Sequence, residues 1–128
     1  MPSAGRRLSS GQLGQAGEEA AARYLEQQGW RILERNCYLP GGEIDIIALE
    51  GNCLVFVEVK TRQRSSRFGS PFEAVDWRKQ QRLTEAASAY MSEHSLDMAA
   101  RFDVAAVIPE QGFFLVELLR NAFDCQEA

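Results

Sequence analysis

The chain has 128 residues, of which 45% are hydrophobic, and it carries a formal net charge of −4. This length suits one domain, and no stretch approaches the roughly 20 apolar residues that a membrane-spanning helix requires. The N-terminus has two arginines without an apolar segment behind them, which argues against a secretory signal. We therefore expect a soluble, cytoplasmic protein that does not enter a membrane, with a domain over residues 11–120 and flexible tails over residues 1–10 and 121–128.

Local patterns predict seven elements in the order α-β-β-β-α-β-β. The first helix runs from about Ser10 to Gln28 and precedes Gly29, a residue type that commonly follows a helix end. A second helix, with one apolar side, is predicted over residues 76–94. Apolar runs predict strands over residues 30–39, 43–49, 53–61, 101–108 and 113–119.

The cysteine and histidine content gives little support for a metal site or a catalytic triad. The three cysteines form an odd count without CxxC spacing, which favours neither a disulfide framework nor a zinc site. The chain has one histidine, His94, so histidine-based metal sites and Ser-His-Asp catalysis are poorly supported. We expect three reduced thiols and a surface histidine.

The second and third strands form a predicted hairpin that concentrates charge. The Gly-Asn dipeptide at 51–52 separates two apolar runs, which is typical of a two-residue hairpin turn. The register that follows places Asp45 opposite Glu58 and Glu43 opposite Lys60. Opposed residues have β-carbons about 4.5–5.5 Å apart, and like charges at that position destabilise a sheet. Burying a carboxylate without a partner is more costly still.

A divalent cation would neutralise this patch, because three carboxylates and one ammonium leave an excess of negative charge. Mg²⁺ binds through one or two carboxylates, keeps several waters and often completes its shell with substrate phosphate. Lys60 would then lie beside the attacking water or a phosphate oxygen, as phosphodiester hydrolysis requires. The alternative is a set of ordinary surface charges without function. The apolar run at 55–59, typical of a central strand, makes that alternative less favoured.

Basic residues are concentrated between positions 60 and 82, where seven of the chain's 14 Lys and Arg residues lie. Such asymmetry in an acidic chain predicts a local surface for a polyanion. The alternative is a solvated loop and helix face. The candidate phosphate contacts are Arg62, Arg64, Arg67, Lys79 and Arg82.

Six segments occur in an order that resembles one family. They are GQAGEEAAARYLEQQGW, GGEIDIIA, VFVEVKTR, FGSPFEAV, KQQRL and RFDVAAV. Together they resemble the YraN-like family of small bacterial proteins. That family is similar to Holliday-junction resolvases and is grouped with the restriction-endonuclease-like PD-(D/E)xK nucleases. The resemblance implies an α/β fold of the restriction-endonuclease-like type, with a mixed central sheet flanked by helices.

The resemblance also implies roles for the hairpin residues. Asp45 would be the aspartate of the superfamily, and Glu58 and Lys60 its ExK pair. Asp45, Glu58 and the backbone carbonyl of Val59 would hold Mg²⁺ or Mn²⁺, and Lys60 would assist the attacking water. Ile44 departs from the pattern, because the superfamily's name has proline before the aspartate.

Two further acidic residues complete the expected site. Glu18, after Gly17 on the first helix, matches the helical acidic residue of junction resolvases, with Glu19 as a competing candidate. Glu43 is expected to contact Lys60 and orient it.

The resemblance favours a metal-dependent nuclease that acts on DNA, with branched or damaged DNA as candidate substrates. Because a junction requires two symmetric cuts, it also suggests a homodimer. Two alternatives stay open: a nucleic-acid- or protein-binding module with little turnover, and an RNA nuclease.

Overall fold

The computed structural model describes residues 8–62 and 75–123. Its elements confirm the predicted α-β-β-β-α-β-β order. They are α1 (Ser10–Gln27), β1 (Arg31–Leu39), β2 (Gly42–Glu50), β3 (Cys53–Thr61), α2 (Trp77–Glu93), β4 (Ala100–Glu110) and β5 (Phe113–Phe123). The predicted residues Arg64 and Arg67 lie outside the described part of the chain.

Both helices begin at side chains that cap them. The Ser9 hydroxyl accepts from the Gln12 backbone N–H at 3.2 Å, and the Gln12 side chain accepts from the Ser9 N–H at 2.9 Å. This reciprocal pair satisfies two N–H groups that a helix start leaves without partners. Asp76 caps α2 in a simpler way, by accepting from the Lys79 N–H at 2.9 Å. At its C-terminal end α1 stops before Gly29, whose φ of +91° few other residues adopt.

The sheet has the order β1-β2-β3-β4-β5. Only β3 and β4 pair in parallel, and the other neighbours are antiparallel. A parallel pair requires a crossover connection, and α2 lies within it. The mixed sheet flanked by helices is therefore confirmed, with β3 at its centre.

Opposite faces of β3 form the two halves of the core. Leu54 and Phe56 pack with α2, whereas Val55 and Val57 pack with α1. Every residue from Leu54 to Glu58 is buried, as expected for a strand covered by helices on both faces. Neither helix of the described ranges has an apolar stretch long enough to cross a membrane.

The last strand is longer than predicted and extends past residue 121, where the C-terminal tail was expected to begin. β5 continues through a register irregularity to Phe123, whose ring stacks on that of Phe102 with centroids 4.6 Å apart. Asn121, at φ 53°, lies at this irregularity and donates its N–H to Asp103 at 2.9 Å. Pairing with β4 thus keeps residues 121–123 in the sheet.

Candidate active site

The site lies where β2 and β3 separate. The predicted hairpin register is confirmed from Glu50↔Cys53 to Ile46↔Val57, where the described pairing ends. Beyond this pair, the Val59 N–H donates to Oδ2 of Asp45 at 2.8 Å. N–H and C=O groups of one strand residue point to the same side, so the Val59 carbonyl also faces the β2 side. The candidate ligands Asp45 and Val59 are therefore adjacent.

Glu58 is buried between two ammonium groups. Its side chain is 7% exposed, and its Oε1 lies 3.6 Å from Nζ of Lys60 and 3.4 Å from Nζ of Lys79. The other oxygen, Oε2, is buried and has no hydrogen-bond partner among the described residues. Such an atom is costly, since buried polar groups are normally satisfied. Glu58 is thus paired with two ammonium groups through one oxygen, while its other oxygen lacks a partner among the described residues.

Three further carboxylates converge beside it. Oxygens of Glu18, Glu43 and Asp45 lie within 4.8 Å of one another. Burial and then the Glu58 charge raise the pKa of Asp45 to about 7, although the Val59 hydrogen bond opposes that rise. Burial also raises the pKa of Glu18, against a hydrogen bond from Asn36, and the Glu43 charge adds to the rise. The charges of the neighbouring carboxylates therefore disfavour ionisation of Asp45.

The position of Glu43 differs from the prediction. Within the described ladder β2 and β3 do not pair beyond Ile46, and Glu43 pairs with Tyr38 of β1 instead. Its carboxylate faces Glu18 and Asp45, and no ion pair joins it to Lys60 among the described residues. The separation of the two strands at Asp45 ends the register that the hairpin turn set.

The sequence left Glu18 and Glu19 as competitors, and the packing of α1 separates them. A β-carbon at Gly17 would lie 2.0 Å from Oγ1 of Thr61 on β3. Only glycine allows this approach, which brings the neighbouring Glu18 to the carboxylate cluster. Glu19 instead forms ion pairs with Arg23 at 3.1 Å and Arg35 at 2.7 Å.

Asn36 belongs to the site and was not predicted. Its amide is assigned with the nitrogen towards the carboxylates, because an oxygen there would face only acceptors. In this orientation the amide donates to Glu18 at 3.1 and 3.3 Å and to Glu43 at 2.8 Å. Its φ of 51° lies in the left-handed region, which asparagine tolerates better than most residues. An asparagine within a strand pattern, where this residue type is depleted, was the available signal.

Two cavities meet at Asp45. One, of about 200 Å³, lies between the β1–β2 turn and α2 and is lined by Glu43, Asp45, Lys79 and Arg82 among others. The other, of about 360 Å³, lies beside α1 and is lined in part by Glu18, Asp45, Glu58, Lys60 and Arg62. Of the predicted phosphate contacts, Arg62, Lys79 and Arg82 therefore border the site.

Comparison with protein families places residues 17–107 in the uncharacterised protein family UPF0102. The chain belongs to this family. The UPF0102 protein of Desulforapulum autotrophicum is 49% identical over 112 residues, which cover 87% of this chain and 92% of that protein. The relative in Symbiobacterium thermophilum is 48% identical over 116 residues, 89% of this chain and 98% of that protein. The relative in Bacteroides thetaiotaomicron is 46% identical over 112 residues, 88% of this chain and 92% of that protein.

The match to UPF0102 confirms the family resemblance, and it includes the whole site. Residues from Glu18 on α1 to Arg82 on α2 lie inside the matched range. The UPF0102 region therefore includes α1 from Gly17 onward, the whole of α2, the β2–β3 separation and the acidic cluster.

Proposed function

We propose that this UPF0102 protein is a metal-dependent nuclease that hydrolyses phosphodiester bonds in DNA. The observation that carries the proposal is the buried Glu58 Oε2, which lacks a hydrogen-bond partner among the described residues and belongs to a carboxylate beside Lys60. Asp45 lies on the adjacent strand, held by the Val59 N–H. A carboxylate pair next to an ammonium is suited to phosphoryl transfer chemistry.

The residues fit Mg²⁺ or Mn²⁺. All candidate donors are oxygens, which these cations prefer over nitrogen or sulfur. Asp45, Glu58 and the Val59 carbonyl would hold the ion, with Glu18 and Glu43 at its border. A divalent cation there supplies positive charge that activates water and stabilises the leaving oxygen.

The basic side chains would orient the substrate. Lys60, with 17% of its side chain exposed, lies beside Glu58 at the open cavity and can donate to the attacking water or to a phosphate oxygen. Lys79 and Arg82 line the cavity on the α2 side, where they can contact phosphates next to the scissile bond. Phosphate contacts position a strand without reading its bases, so we expect recognition of structure in preference to sequence.

Binding without turnover is the competing function, and one observation favours it. Lys60 and Lys79 already neutralise Glu58 through its Oε1. A panel of duplex, branched, damaged and single-stranded DNA, together with RNA, separates a DNA nuclease from an RNA nuclease and from a binding module. A homodimer, which symmetric cutting of a junction would require, is tested by measuring the mass in solution.

The decisive variant is Lys60→Ala. We expect cleavage with Mg²⁺ or Mn²⁺ to fall by at least about 100-fold, as for loss of a positioned catalytic donor, while DNA binding is largely kept. Arg31→Ala, which removes an exposed charge at the far end of β1, is the control and should cleave normally. Undiminished cleavage by Lys60→Ala would contradict the assignment.

A further inference from the structure

We propose that Asn36 is the positioning residue of the acidic cluster: its side-chain amide joins Glu18 of α1 to Glu43 of β2 and holds both carboxylates towards Asp45. The inference rests on the proposed function for its purpose, because the cluster would border a cation. Its geometry stands independently on the contacts that Asn36 makes with both residues. Asn36 would act through these carboxylates without contacting the substrate.

The backbone of Asn36 is adapted to this contact. Consecutive side chains of a strand normally point to opposite faces. Here Arg35 contacts Glu19 and Asn36 contacts Glu18, so two neighbours on β1 both reach the same helix. The left-handed φ of 51° at Asn36 interrupts the alternation and makes this possible.

The chemistry of the amide suits the cluster better than other side chains would. Glu18, Glu43 and Asp45 bring three carboxylates within 4.8 Å, so each needs a donor. An asparagine amide offers two N–H donors without a charge. An aspartate would add repulsion, and a lysine or arginine would bring a positive charge that competes with a cation. Asn36 can therefore hold two acids together while leaving their charge available.

A left-handed asparagine alone would not identify such a role, and the chain contains a comparison. Asn121 on β5 has a φ of 53°, close to that of Asn36. It is exposed, and the contact it makes with Asp103 comes from its backbone N–H. Asn121 is therefore a matched control, with a similar φ in a strand but without the contacts to Glu18 and Glu43.

The first measurement uses the metal-free protein. Side-chain amide resonances of Asn36 should shift in Glu18→Ala and in Glu43→Ala, because each variant removes an acceptor. The amide resonances of Asn121 should not move in either variant. Unchanged Asn36 resonances in both variants would overturn the bridge.

The second measurement is calorimetry with Mn²⁺. Asn36→Gly allows the same positive φ, since glycine adopts it readily, and removes the side chain with its amide. We expect its Mn²⁺ affinity to fall by about tenfold or more, the usual effect of losing a residue that orients metal ligands. The Mn²⁺ affinity of Asn121→Gly should stay within about twofold of the wild type, because this side chain orients none of the candidate metal ligands. Thermal unfolding of both variants checks that folding is retained.

The outcomes separate the two proposals. Equal Mn²⁺ affinity of Asn36→Gly and the wild type would overturn the positioning role while the nuclease proposal stands. A wild-type protein that binds no Mn²⁺ would overturn the nuclease proposal, and the amide resonances would then decide the Asn36 bridge. Weaker Mn²⁺ binding by Asn36→Gly, together with shifted amide resonances, supports the inference.

Discussion

Glu58 shows how single residues define this site. The chain has two lysines, Lys60 and Lys79, and both place their ammonium groups within 3.6 Å of Glu58 Oε1. All other basic side chains are arginines. An ammonium is a compact charge that can move between partners, whereas a guanidinium favours fixed bidentate pairs. Lysine at both positions therefore suits a carboxylate that, in the proposed function, would exchange one partner for a cation or a phosphate.

Asp45 gives a pH-dependent prediction for the metal-free protein. Its pKa rises from the ordinary value of 3.8 to about 7, chiefly through burial and then through the Glu58 charge. When the pKa of a carboxyl group is higher in the folded than in the unfolded protein, its contribution to stability is fully present at pH values below the unfolded-state pKa. This contribution is lost as the pH rises through the folded-state pKa of about 7. Ionised Asp45 therefore opposes folding at pH 8 in the absence of a cation.

We expect Asp45→Asn to raise the free energy of unfolding at pH 8 by roughly 1–3 kcal/mol, and to have little effect at pH 4. The asparagine oxygen can still accept from the Val59 N–H. Urea denaturation in a chelator at both pH values measures the difference, with the exposed Asp97→Asn as control. If the gain in the free energy of unfolding of Asp45→Asn were the same at pH 4 and pH 8, this would contradict the raised pKa of Asp45.

At the scale of elements, the close contact between α1 and β3 brings the acidic groups together. Gly17 faces Thr61 without room for a β-carbon, and the next residue is Glu18. Gly41 has a related role on the other side of the sheet, where a β-carbon would lie 3.0 Å from the Ala86 backbone nitrogen on α2. Two glycines thus set the distance of each helix from the hairpin strands.

Gly17→Ala should push α1 away from β3. We expect a loss of about 1–3 kcal/mol in the free energy of unfolding, as in other overpacked interiors, and weaker Mn²⁺ binding because Glu18 is displaced. Gly14→Ala lies on the same helix with nothing within 4 Å of the new β-carbon. It should stabilise the protein by about 0.5–1 kcal/mol through helix propensity. Equal effects of the two variants would show that backbone freedom, and not the contact with Thr61, explains Gly17.

At the scale of the whole molecule, charge is divided between the two ends of the sheet. Arg101 binds the buried Asp103 at 3.0 Å and Glu50 at 2.7 Å, and Arg120 also binds Glu50. These pairs lie near the ends of β2 and β4 that are remote from Asp45, and the arginines there pair with neighbouring carboxylates. Lys79, Arg82 and Arg62 border the open cavities instead. An acidic protein of net charge −4 therefore still carries a local basic surface, which the proposed nuclease function would use to bind nucleic acid.

The role of Lys79 can be measured through the salt dependence of DNA binding. If the ammonium leaves Glu58 for a phosphate when DNA binds, Lys79→Ala should lower the slope of log affinity against log salt by about 1. Arg23→Ala, an exposed charge paired with Glu19, is the control and should leave the slope unchanged. An unchanged slope for Lys79→Ala would show that this lysine pairs with Glu58 and does not contact a DNA phosphate.

The sequence by itself determined the features that depend on neighbouring residues. The positions of α1 and α2, the turn at Gly51 and the register that follows it arise from contacts a few residues apart, so local chemistry was enough to predict them. Asp45, Glu58 and Lys60 could be placed near one another because the hairpin turn connects their strands. Residues 121–123 were assigned to a tail because the pairing of β5 with β4 continues past a register irregularity, which the turn between these strands does not predict.

Only the tertiary structure decided which distant side chains meet. The turn could not show that β2 and β3 separate at Asp45, which directs Glu43 to Glu18 in place of Lys60. Asn36 lies 18 residues from Glu18 in the sequence, and Lys79 lies 21 from Glu58. Such contacts depend on how closely each helix packs on the sheet, and packing is a property of the assembled core.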